Sequence, residues 1–314
     1  LNYMFNVKYC IGLYDSTFSD VDEVAHDENM KLYKVKREGS LGYMVDDAVR
    51  EWNPIKTQLF DGQNDFAGKA TGEDPFFTVL PRDATVEVGY GKLKEKENGK
   101  FSFVVVDEMT GVLVTYIVPE DMDLYMYSYI DKEYGFRQVK VDGQVVYQDD
   151  EYRTAGTIHI GNVKKGQKVT LMQIVARCIG EEAEFQYQFA SYDDEQYEKI
   201  YEKLSESTLK VDTFEDTYIK GTIDAKRDGI MMTSIPAKDG FSVYVDGNKT
   251  EFEAVGNAFI GVPLSACNHT IEFRYATPYV KERAIISLIG LFAFVVICFI
   301  EKIVLKKQND EQIA

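Results

Sequence analysis

Hydrophobic and polar positions alternate in short runs through most of this 314-residue chain. Between residues 84 and 189 the runs are rich in Val, Ile, Tyr, Phe and Thr, and Gly, Asp, Asn or Pro bounds most of them, which is typical of β-strands joined by tight turns. They are 84–91, 100–107, 112–118, 124–130, 137–141, 157–160, 168–175 and 184–189. Strands so short and so closely spaced predict an antiparallel β-sandwich.

The same strand pattern returns after residue 208 and predicts a second, smaller sandwich. Its runs are 209–214, 218–224, 229–235, 241–247, 250–255, 258–262 and 269–275. Between the two strand regions, apolar residues at i, i+3, i+4 and i+7 predict an amphipathic helix over 193–205. These residues are Tyr197, Ile200, Tyr201 and Leu204. Asp193 and Asp194 are its N-cap candidates, and we expect the helix to be a spacer packed between the sandwiches.

The two strand regions share an order of motifs. A Gly-Phe pair and then a V-x-V-D-G run occur at 135–143 in the first region and at 240–247 in the second. In each region the V-x-V-D-G run is followed by one further predicted strand and then by a last predicted strand. This shared order of elements suggests an internal duplication. Asp142-Gly143 predicts a two-residue hairpin turn, because both positions tolerate positive φ.

An apolar run near the C-terminus is long enough to cross a membrane. From Ala284 to Ile300 the chain has 17 residues without a charge. At about 1.5 Å per residue, such a helix covers about 26 Å of the roughly 30 Å bilayer core. We expect a spanning helix over 283–305. Basic residues flank it equally on both sides, so the positive-inside rule gives no orientation.

The fold class predicted is mainly β, with two tandem antiparallel β-sandwiches of jelly-roll or Ig-like type, a linking helix and one C-terminal transmembrane helix. Before the sandwiches, strand-like runs 3–13 and 31–36 flank an acidic stretch, Asp15 to Asn29, and a short helix is predicted over 55–66. The predicted limits are 1–80 for this small α/β and loop region, 81–192 and 208–277 for the sandwiches, 193–207 for the linker helix, 283–305 for the membrane helix and 306–314 for a cytoplasmic tail.

Composition excludes two classes of protein. A hydrophobic fraction of 45% is too high for a disordered chain. With 52 acidic against 35 basic residues the formal net charge is −17, and a chain so acidic repels phosphate backbones, so we expect no nucleic-acid partner.

Metal, cofactor and nucleophile motifs are missing from the sequence. The four Cys and three His are scattered without a C-x-x-C pair, so we expect no metal site, and we expect no cofactor. Cys178 and Cys267 either form a disulfide or are free thiols, and free thiols are the favoured alternative. Acidic runs such as Asp149-Asp150-Glu151 lack the EF-hand pattern and indicate a solvated surface.

The second half of the chain resembles the C-terminal region of the YfhO family of bacterial polytopic membrane proteins. The resemblance depends on D-G-F-S-V-Y-V-D-G at 239–247, A-F-I-G at 258–261 and H-T-I-E-F-R-Y at 269–275, followed by the apolar run. At the front, L-N-Y-M-F-N-V-K-Y-C-I-G-L at 1–13 is similar to the family's strand after its membrane domain. N-P-I-K-T-Q at 53–58 is similar to its N-P-F-x-x-Q segment.

The resemblance implies a membrane setting and a reaction class. Members of the family resemble C-type glycosyltransferases, which are thought to take sugar from a polyprenyl-phosphate donor and decorate cell-surface polymers such as lipoteichoic acid. The family's catalytic residues lie in an early loop that this chain does not contain, so no catalytic residue is carried over. The expected partners are the lipid bilayer, a missing N-terminal multi-spanning domain and a cell-surface glycan. The expected location is the bacterial cell membrane, with most of the chain extracytoplasmic and Lys306 and Lys307 inside.

Four aromatic residues are candidate glycan-binding residues. Strand alternation puts Tyr125, Tyr127 and Tyr129 on one face of their strand, where they form an exposed stripe able to stack on sugars or, as we favour, ordinary core filling. Trp52, the single Trp, either caps a sugar-binding groove or pins its loop to the body.

Three functions follow as alternatives. The chain is a non-catalytic, substrate-facing region of a membrane glycosyltransferase, a membrane-anchored carbohydrate-binding or adhesive module, or a tail-anchored cytosolic scaffold. Whether membrane segments precede Leu1 separates the first from the third.

Overall fold

A computed structural model of the chain describes residues 6–13, 21–28, 30–37, 39–54, 59–132, 134–149, 155–175 and 178–313. The fold is mainly β, as the sequence predicts. It consists of several antiparallel sheets and, in the described residues, three α-helices, of which the C-terminal one is long and apolar.

The described strands and helices have the following bounds. The strands are β1 (Tyr9–Leu13), β2 (Val21–His26), β3 (Met30–Val35), β4 (Gly42–Val45), β5 (Phe77–Val79), β6 (Thr85–Val88), β7 (Lys94–Glu95), β8 (Lys100–Val104), β9 (Gly111–Ile117), β10 (Met122–Ile130), β11 (Tyr134–Val141), β12 (Gln144–Asp149), β13 (Ala155–Val163), β14 (Lys168–Val175), β15 (Glu182–Tyr192), β16 (Lys210–Glu215), β17 (Tyr218–Asp224), β18 (Gly229–Pro236), β19 (Phe241–Val245), β20 (Asn248–Thr250), β21 (Glu253–Val255), β22 (Phe259–Leu264) and β23 (Asn268–Tyr275). The helices are α1 (Leu59–Thr71), α2 (Asp194–Ser205) and α3 (Val280–Ile313), with short 3-10 helices at Asp47–Glu51 and Glu97–Gly99.

Two sheets form the first sandwich. Their strand orders are β13-β10-β15-β8-β7, with β5 also paired to β15, and β12-β11-β14-β9-β6. The turn between β11 and β12 is Asp142-Gly143, with φ angles of 49° and 83°, which confirms the predicted hairpin. Inward-facing residues of both sheets fill the core, among them Phe103, Val114, Leu124, Met126, Val139, Leu171, Phe185 and Phe189.

The second sandwich takes one strand from far upstream. Its sheets have the orders β16-β17-β23-β19-β20 and β21-β22-β18-β4, so β4 pairs with β18 although it lies before residue 81 in the chain. Met44 packs in the second core, whereas Tyr43 and Val45 pack in a cluster between the sandwiches. All four residues of β4 are buried, so the strand has no polar alternation by which the sequence could reveal it.

The two sandwiches share a topology. The order β6-β9-β14-β11-β12 in the first corresponds to β16-β17-β23-β19-β20 in the second, and the pair β13-β10 corresponds to β22-β18. Beside β10 lies β15, which follows β14 along the chain, whereas beside β18 lies β4. The chain leaves the second sandwich for α3 after β23, so an upstream strand fills the equivalent place. This correspondence is what an internal duplication predicts.

A helical layer lies between the two sandwiches. Residues of α1 and α2 share one buried cluster, here called the central cluster, with the outer faces of β4, β18 and β15. Its buried members are Tyr43, Val45, Val49, Trp52, Phe60, Phe66, Ala67, Ala70, Phe76, Phe77, Ala190, Ile200, Leu204, Ile230, Met232 and Val255.

Helix α2 is the predicted spacer. The side chain of Asp193 accepts a hydrogen bond from the N–H of Gln196 at 3.0 Å and caps the helix. Its apolar face buries Ile200 and Leu204 in the central cluster. The prediction of a helix packed between the sandwiches is therefore confirmed.

Helix α1 extends further than predicted. It continues to Thr71, five residues past the expected end, because Ala67 and Ala70 extend its buried face. Gly72 then ends it with a φ of 72°, the left-handed conformation common after a helix C-terminus. The start of the prediction, 55–58, lies outside the described residues.

The N-terminal strands form a separate small sheet in the order β1-β3-β2. Strand β2 lies within the acidic stretch that was expected only to separate two strands. It is an exposed edge strand in which buried and exposed residues do not alternate. Arg37, just after β3, ties this sheet to α2. Its Nη2 donates to the Glu198 carboxylate at 2.7 Å, and its guanidinium lies 5.2 Å from the Tyr197 ring centroid.

Helix α3 has the length and composition of a membrane span. The segment from Glu282 to Lys302 is apolar, and none of it is buried against the rest of the described chain. The helix itself runs from Val280 to Ile313, beyond both ends of the predicted 283–305.

Candidate functional site: the tyrosine face of β10

Strand β10 has two faces with different environments. Leu124, Met126 and Ile130 are fully buried in the core of the first sandwich. Tyr125, Tyr127 and Tyr129 lie on the opposite, outer face of the sheet, and we call this set the tyrosine face. The Met and Ile face is therefore the core of the first sandwich, and the interpretation favoured from the sequence, in which the tyrosines fill that core, is not what the structure has.

The central cluster covers one end of the tyrosine face. Tyr125 packs against it and makes edge-to-face contact with Phe77, with 5.3 Å between ring centroids. The Tyr125 ring also stacks on His159, with 4.4 Å between ring centroids and an interplanar angle of 18°. His159 is held in turn by Asp123, whose Oδ1 lies 2.7 Å from Nε2. Tyr125 is thus fixed in place by its neighbours.

The middle of the tyrosine face has polar neighbours. Tyr127 lies between Thr157 of β13 and Gln188 of β15 in the sheet register. It also contacts the central cluster, and this burial raises the pKa of its hydroxyl, with a further contribution from nearby Tyr129. A neutral hydroxyl in this position can both donate and accept hydrogen bonds.

Tyr129 is half-buried and, unlike Tyr125 and Tyr127, does not pack against the central cluster, so we call its end of the face the open end. It lies beside Ala155 of β13 and Gln186 of β15, and it makes no ring contact with another aromatic residue in the described part of the chain. Gln186 lies on the same outer face of β15 as Gln188, because Phe185, Tyr187 and Phe189 alternate with them into the core. A half-buried ring beside an amide can stack on an apolar sugar face while the amide binds its hydroxyls.

The side chain of Trp52 packs inside the molecule. It is 8% exposed, and its ring makes edge contact with Phe66 at 4.9 Å. Gly256 approaches so closely that an added Cβ would lie 2.6 Å from Cζ3 of the indole. Of the two alternatives for Trp52, the structure favours the one in which it pins its loop to the body.

The sequence missed the polar partners of the tyrosine face. Thr157, Gln186 and Gln188 come from two strands that pair with β10 from either side, one of them more than fifty residues downstream. Alternation predicts which side chains of a single strand share a face, but only the register between strands shows which residues become neighbours.

Groups suited to metal chemistry are not assembled in the described residues. No cluster of three or more His, Cys, Asp or Glu side chains there could hold a metal ion. The cysteines Cys10, Cys178, Cys267 and Cys298 are free thiols, including the pair for which a disulfide was considered.

The family of this chain follows from its sequence. The family described as bacterial membrane protein YfhO matches residues 1–287. The chain belongs to the YfhO family. Membership makes it a bacterial membrane protein, in agreement with the apolar span in α3 and with the resemblance noted from its motifs. No curated protein matches the chain.

Several solved structures are similar to part of this YfhO-family chain. A family two carbohydrate esterase from Clostridium thermocellum, in complex with cellohexaose, is 12% identical with a TM-score of 0.24, over 33% of this chain and 30% of the esterase. A family 35 carbohydrate binding module from the same organism is 15% identical with a TM-score of 0.25, over 36% of this chain and 96% of the module. The C-terminal CBM6 of LamC from Zobellia galactanivorans is 10% identical with a TM-score of 0.24, over 37% and 98%.

Proposed function

We propose that this chain is the non-catalytic, extracytoplasmic region of a YfhO-family protein and assists the glycosylation of a cell-surface polymer of the lipoteichoic-acid type. In this proposal the sugar comes from a polyprenyl-phosphate donor, and catalysis belongs to a multi-spanning domain outside this chain. The sandwiches face outwards, and Lys306 and Lys307 lie on the cytoplasmic side.

The observation that carries the proposal is the open end of the tyrosine face within a membrane-protein family. An enzyme that modifies a long polymer at the membrane must hold that polymer, and Tyr127 and Tyr129 with Gln186 combine ring surface with hydrogen-bonding groups. Each ring contributes about 0.5–1.5 kcal/mol beyond its buried area, so binding by so few rings is weak and depends on the membrane to keep the polymer close.

The net charge of the chain limits which part of the polymer the tyrosine face can bind. A net charge of −17 repels an anionic polymer backbone, so we propose that the tyrosine face binds the neutral sugar units rather than the phosphates. Added salt should then strengthen the binding of an anionic polymer or leave it unchanged, because salt screens the repulsion between the polymer and the acidic chain.

The test uses the full chain in lipid nanodiscs and a neutral oligosaccharide released from the polymer. Tyr129→Ala and Gln186→Ala should each weaken binding several-fold. Tyr90→Ala, which removes a 69% exposed tyrosine elsewhere in the same sandwich, should leave binding unchanged. Equal binding by all three variants would contradict a glycan site on this face.

A second candidate is a membrane-anchored carbohydrate-binding or adhesive module. The same face supports it, since stacking on sugars does not require an enzyme. Polymer glycosylation in cells separates the two functions. If Tyr129→Ala abolishes glycan binding and lowers polymer glycosylation at unchanged protein abundance, the first function holds; if glycosylation is unchanged, the module function holds.

A further inference from the structure

The end of the second sandwich that leads into α3 is fixed by short connections. β23 ends at Tyr275 and α3 begins at Val280, so only four residues join the sheet to the membrane helix. This joint is folded against the sandwich, because the N–H of Ala276 donates to the carbonyl of Gly240 at 2.9 Å. A Cβ added to Gly240 would lie 3.2 Å from Cδ of Pro278. The joint is therefore packed rather than extended.

The turn between β16 and β17 lies at the same end of the sheet. The N–H of Tyr275 donates to the carbonyl of Thr217, in this turn, at 2.9 Å. Phe214 is in the last half of β16, opposite Ile219. Ile219 pairs in turn with Phe273, which lies two residues before the end of β23 at Tyr275. Phe214 and Ile219 therefore lie within two positions of this end of the sheet.

This end of the sheet exposes apolar side chains. Phe214 is 71% exposed and Tyr279 is 63% exposed, although both are large aromatic residues. Phe214 also borders an open cavity of about 580 Å³, which is lined by Leu41, Leu209 and Val211 and by the polar residues Asn6, Lys8 and Ser40. Aromatic residues near the ends of a membrane-spanning segment are typical of the bilayer interface, where part of the ring is removed from water.

We propose that this end of the second sandwich, with Phe214 and Tyr279 as its contacts, rests on the lipid bilayer surface. The occupant is lipid because the tether is so short: a segment that begins a membrane span at Glu282 holds the sheet end within a few residues of the interface. Glu215 and Asp216 directly follow Phe214 in sequence, so the contact depends on aromatic burial and not on attraction to anionic lipid.

Tryptophan quenching tests the contact in the full chain. Phe214→Trp introduces a reporter at an exposed aromatic position, and the native chain, whose only Trp is the buried Trp52, gives the baseline. The matched control is Lys249→Trp, at an exposed position beside the β19–β20 turn at the opposite end of the same sheet. Each protein is reconstituted into vesicles of phosphatidylcholine with and without brominated acyl chains.

We expect brominated lipid to quench the added fluorescence of Phe214→Trp several-fold more than that of Lys249→Trp, and equally in vesicles with or without phosphatidylglycerol. A red-shifted, unquenched Phe214→Trp signal would overturn the proposal, because the sheet end would then stand in water. A blue-shifted but unquenched signal would also overturn it, by showing that a second chain or another protein covers Phe214.

Discussion

The carboxylate of Asp246 accepts a hydrogen bond from Nδ1 of His269 at 2.8 Å. Its other oxygen accepts the backbone N–H of Thr270, also at 2.8 Å, and the N–H of Asp246 donates to the carbonyl of Thr270. Asp246 is the first residue of the β19–β20 turn and has a φ of 52°. One side chain thus fastens a hairpin turn to the start of β23.

The first sandwich repeats this arrangement at the equivalent turn. Asp142 accepts the backbone N–H of Lys168 at 2.8 Å and Nε2 of Gln167 at 3.0 Å. Its N–H donates to the carbonyl of Lys168, as that of Asp246 does to Thr270. The duplication suggested by two V-x-V-D-G runs therefore extends to the hydrogen bonds that each Asp makes.

Replacing Asp246 by Ala should destabilise the second sandwich in a pH-dependent way. The N–H of Thr270 and, second, His269 hold the pKa of Asp246 below its ordinary value. Because the folded-state pKa lies below the unfolded value of about 3.9, the carboxylate stabilises the fold above that pH and stops doing so as pH falls through the folded pKa. We expect thermal unfolding midpoints of the two proteins to differ at pH 6 and to converge towards pH 2.

The size of this effect at pH 6 should correspond to about 1 kcal/mol, the usual net value of a hydrogen bond. Asp212→Ala, at an exposed position of β16, is the matched control and should unfold at nearly the same temperature as the native chain at pH 6. A difference between Asp246→Ala and the native chain that stays constant with pH would show that the carboxylate's charge is not what stabilises the turn.

Removing Asp149 should destabilise the first sandwich strongly, because its side chain is only 13% exposed and is paired with a buried guanidinium. Arg137 is 1% exposed, and its Nη2 donates to Asp149 at 2.7 Å and to the Tyr147 hydroxyl at 3.0 Å. Burial, aided by a hydrogen bond to Asp149, raises the pKa of Tyr147 to about 12, so its hydroxyl stays protonated and donates to the carboxylate. Asp149→Leu removes a carboxylate that is bonded to this buried guanidinium, and breaking such a buried pair costs about 3–5 kcal/mol.

The double variant Arg137→Met/Asp149→Leu removes both charges and should be distinctly more stable than Asp149→Leu alone. Chemical denaturation of the native chain, Arg137→Met, Asp149→Leu and the double variant measures this coupling. Additive losses would mean that the two residues contribute independently.

Gly256→Ala should loosen the packing of Trp52. The φ of Gly256 is 60°, and a Cβ there would lie 2.6 Å from the indole. Gly247→Ala is the control for backbone strain alone, since its φ is 81° but nothing lies within 4 Å of an added Cβ. We expect Gly256→Ala to lose about 1–3 kcal/mol more than Gly247→Ala, the usual cost of overpacking, and to red-shift Trp52 emission. Equal losses with unchanged emission would contradict this close contact.

Strands joined by local turns were predictable from the sequence, but strands placed by distant partners were not. Asp142-Gly143 is a local signal, and the hairpin it predicts is present. β4 carries the letters G-Y-M-V in a Gly- and Asp-rich region, and only its pairing with β18 makes it a strand. β2 is similar, because its pairing with β3, not a buried face, defines it.

The candidate site was also predictable only where the signal was local to one strand. Alternation along β10 correctly placed the three tyrosines on one face. It could not show that helices α1 and α2 and strand β5 would cover the Tyr125 end and leave the Tyr129 end open, since those elements come from residues before and after the sandwich. Simultaneous replacement of all three rings would therefore mix stability with binding.

Single replacements separate these two roles. Tyr125→Ala removes a ring held between Phe77 and His159, so we expect it to lower the free energy of unfolding by about 2 kcal/mol, somewhat below the value for a fully buried aromatic residue. Tyr129→Ala removes a more open ring and should cost less than about 1 kcal/mol while weakening oligosaccharide binding several-fold. Tyr129→Phe keeps the stacking surface and should restore most of the binding. Denaturation curves and binding titrations on the same preparations test both halves, and a Tyr129→Ala protein as unstable as Tyr125→Ala would show that Tyr129 is a packing residue instead.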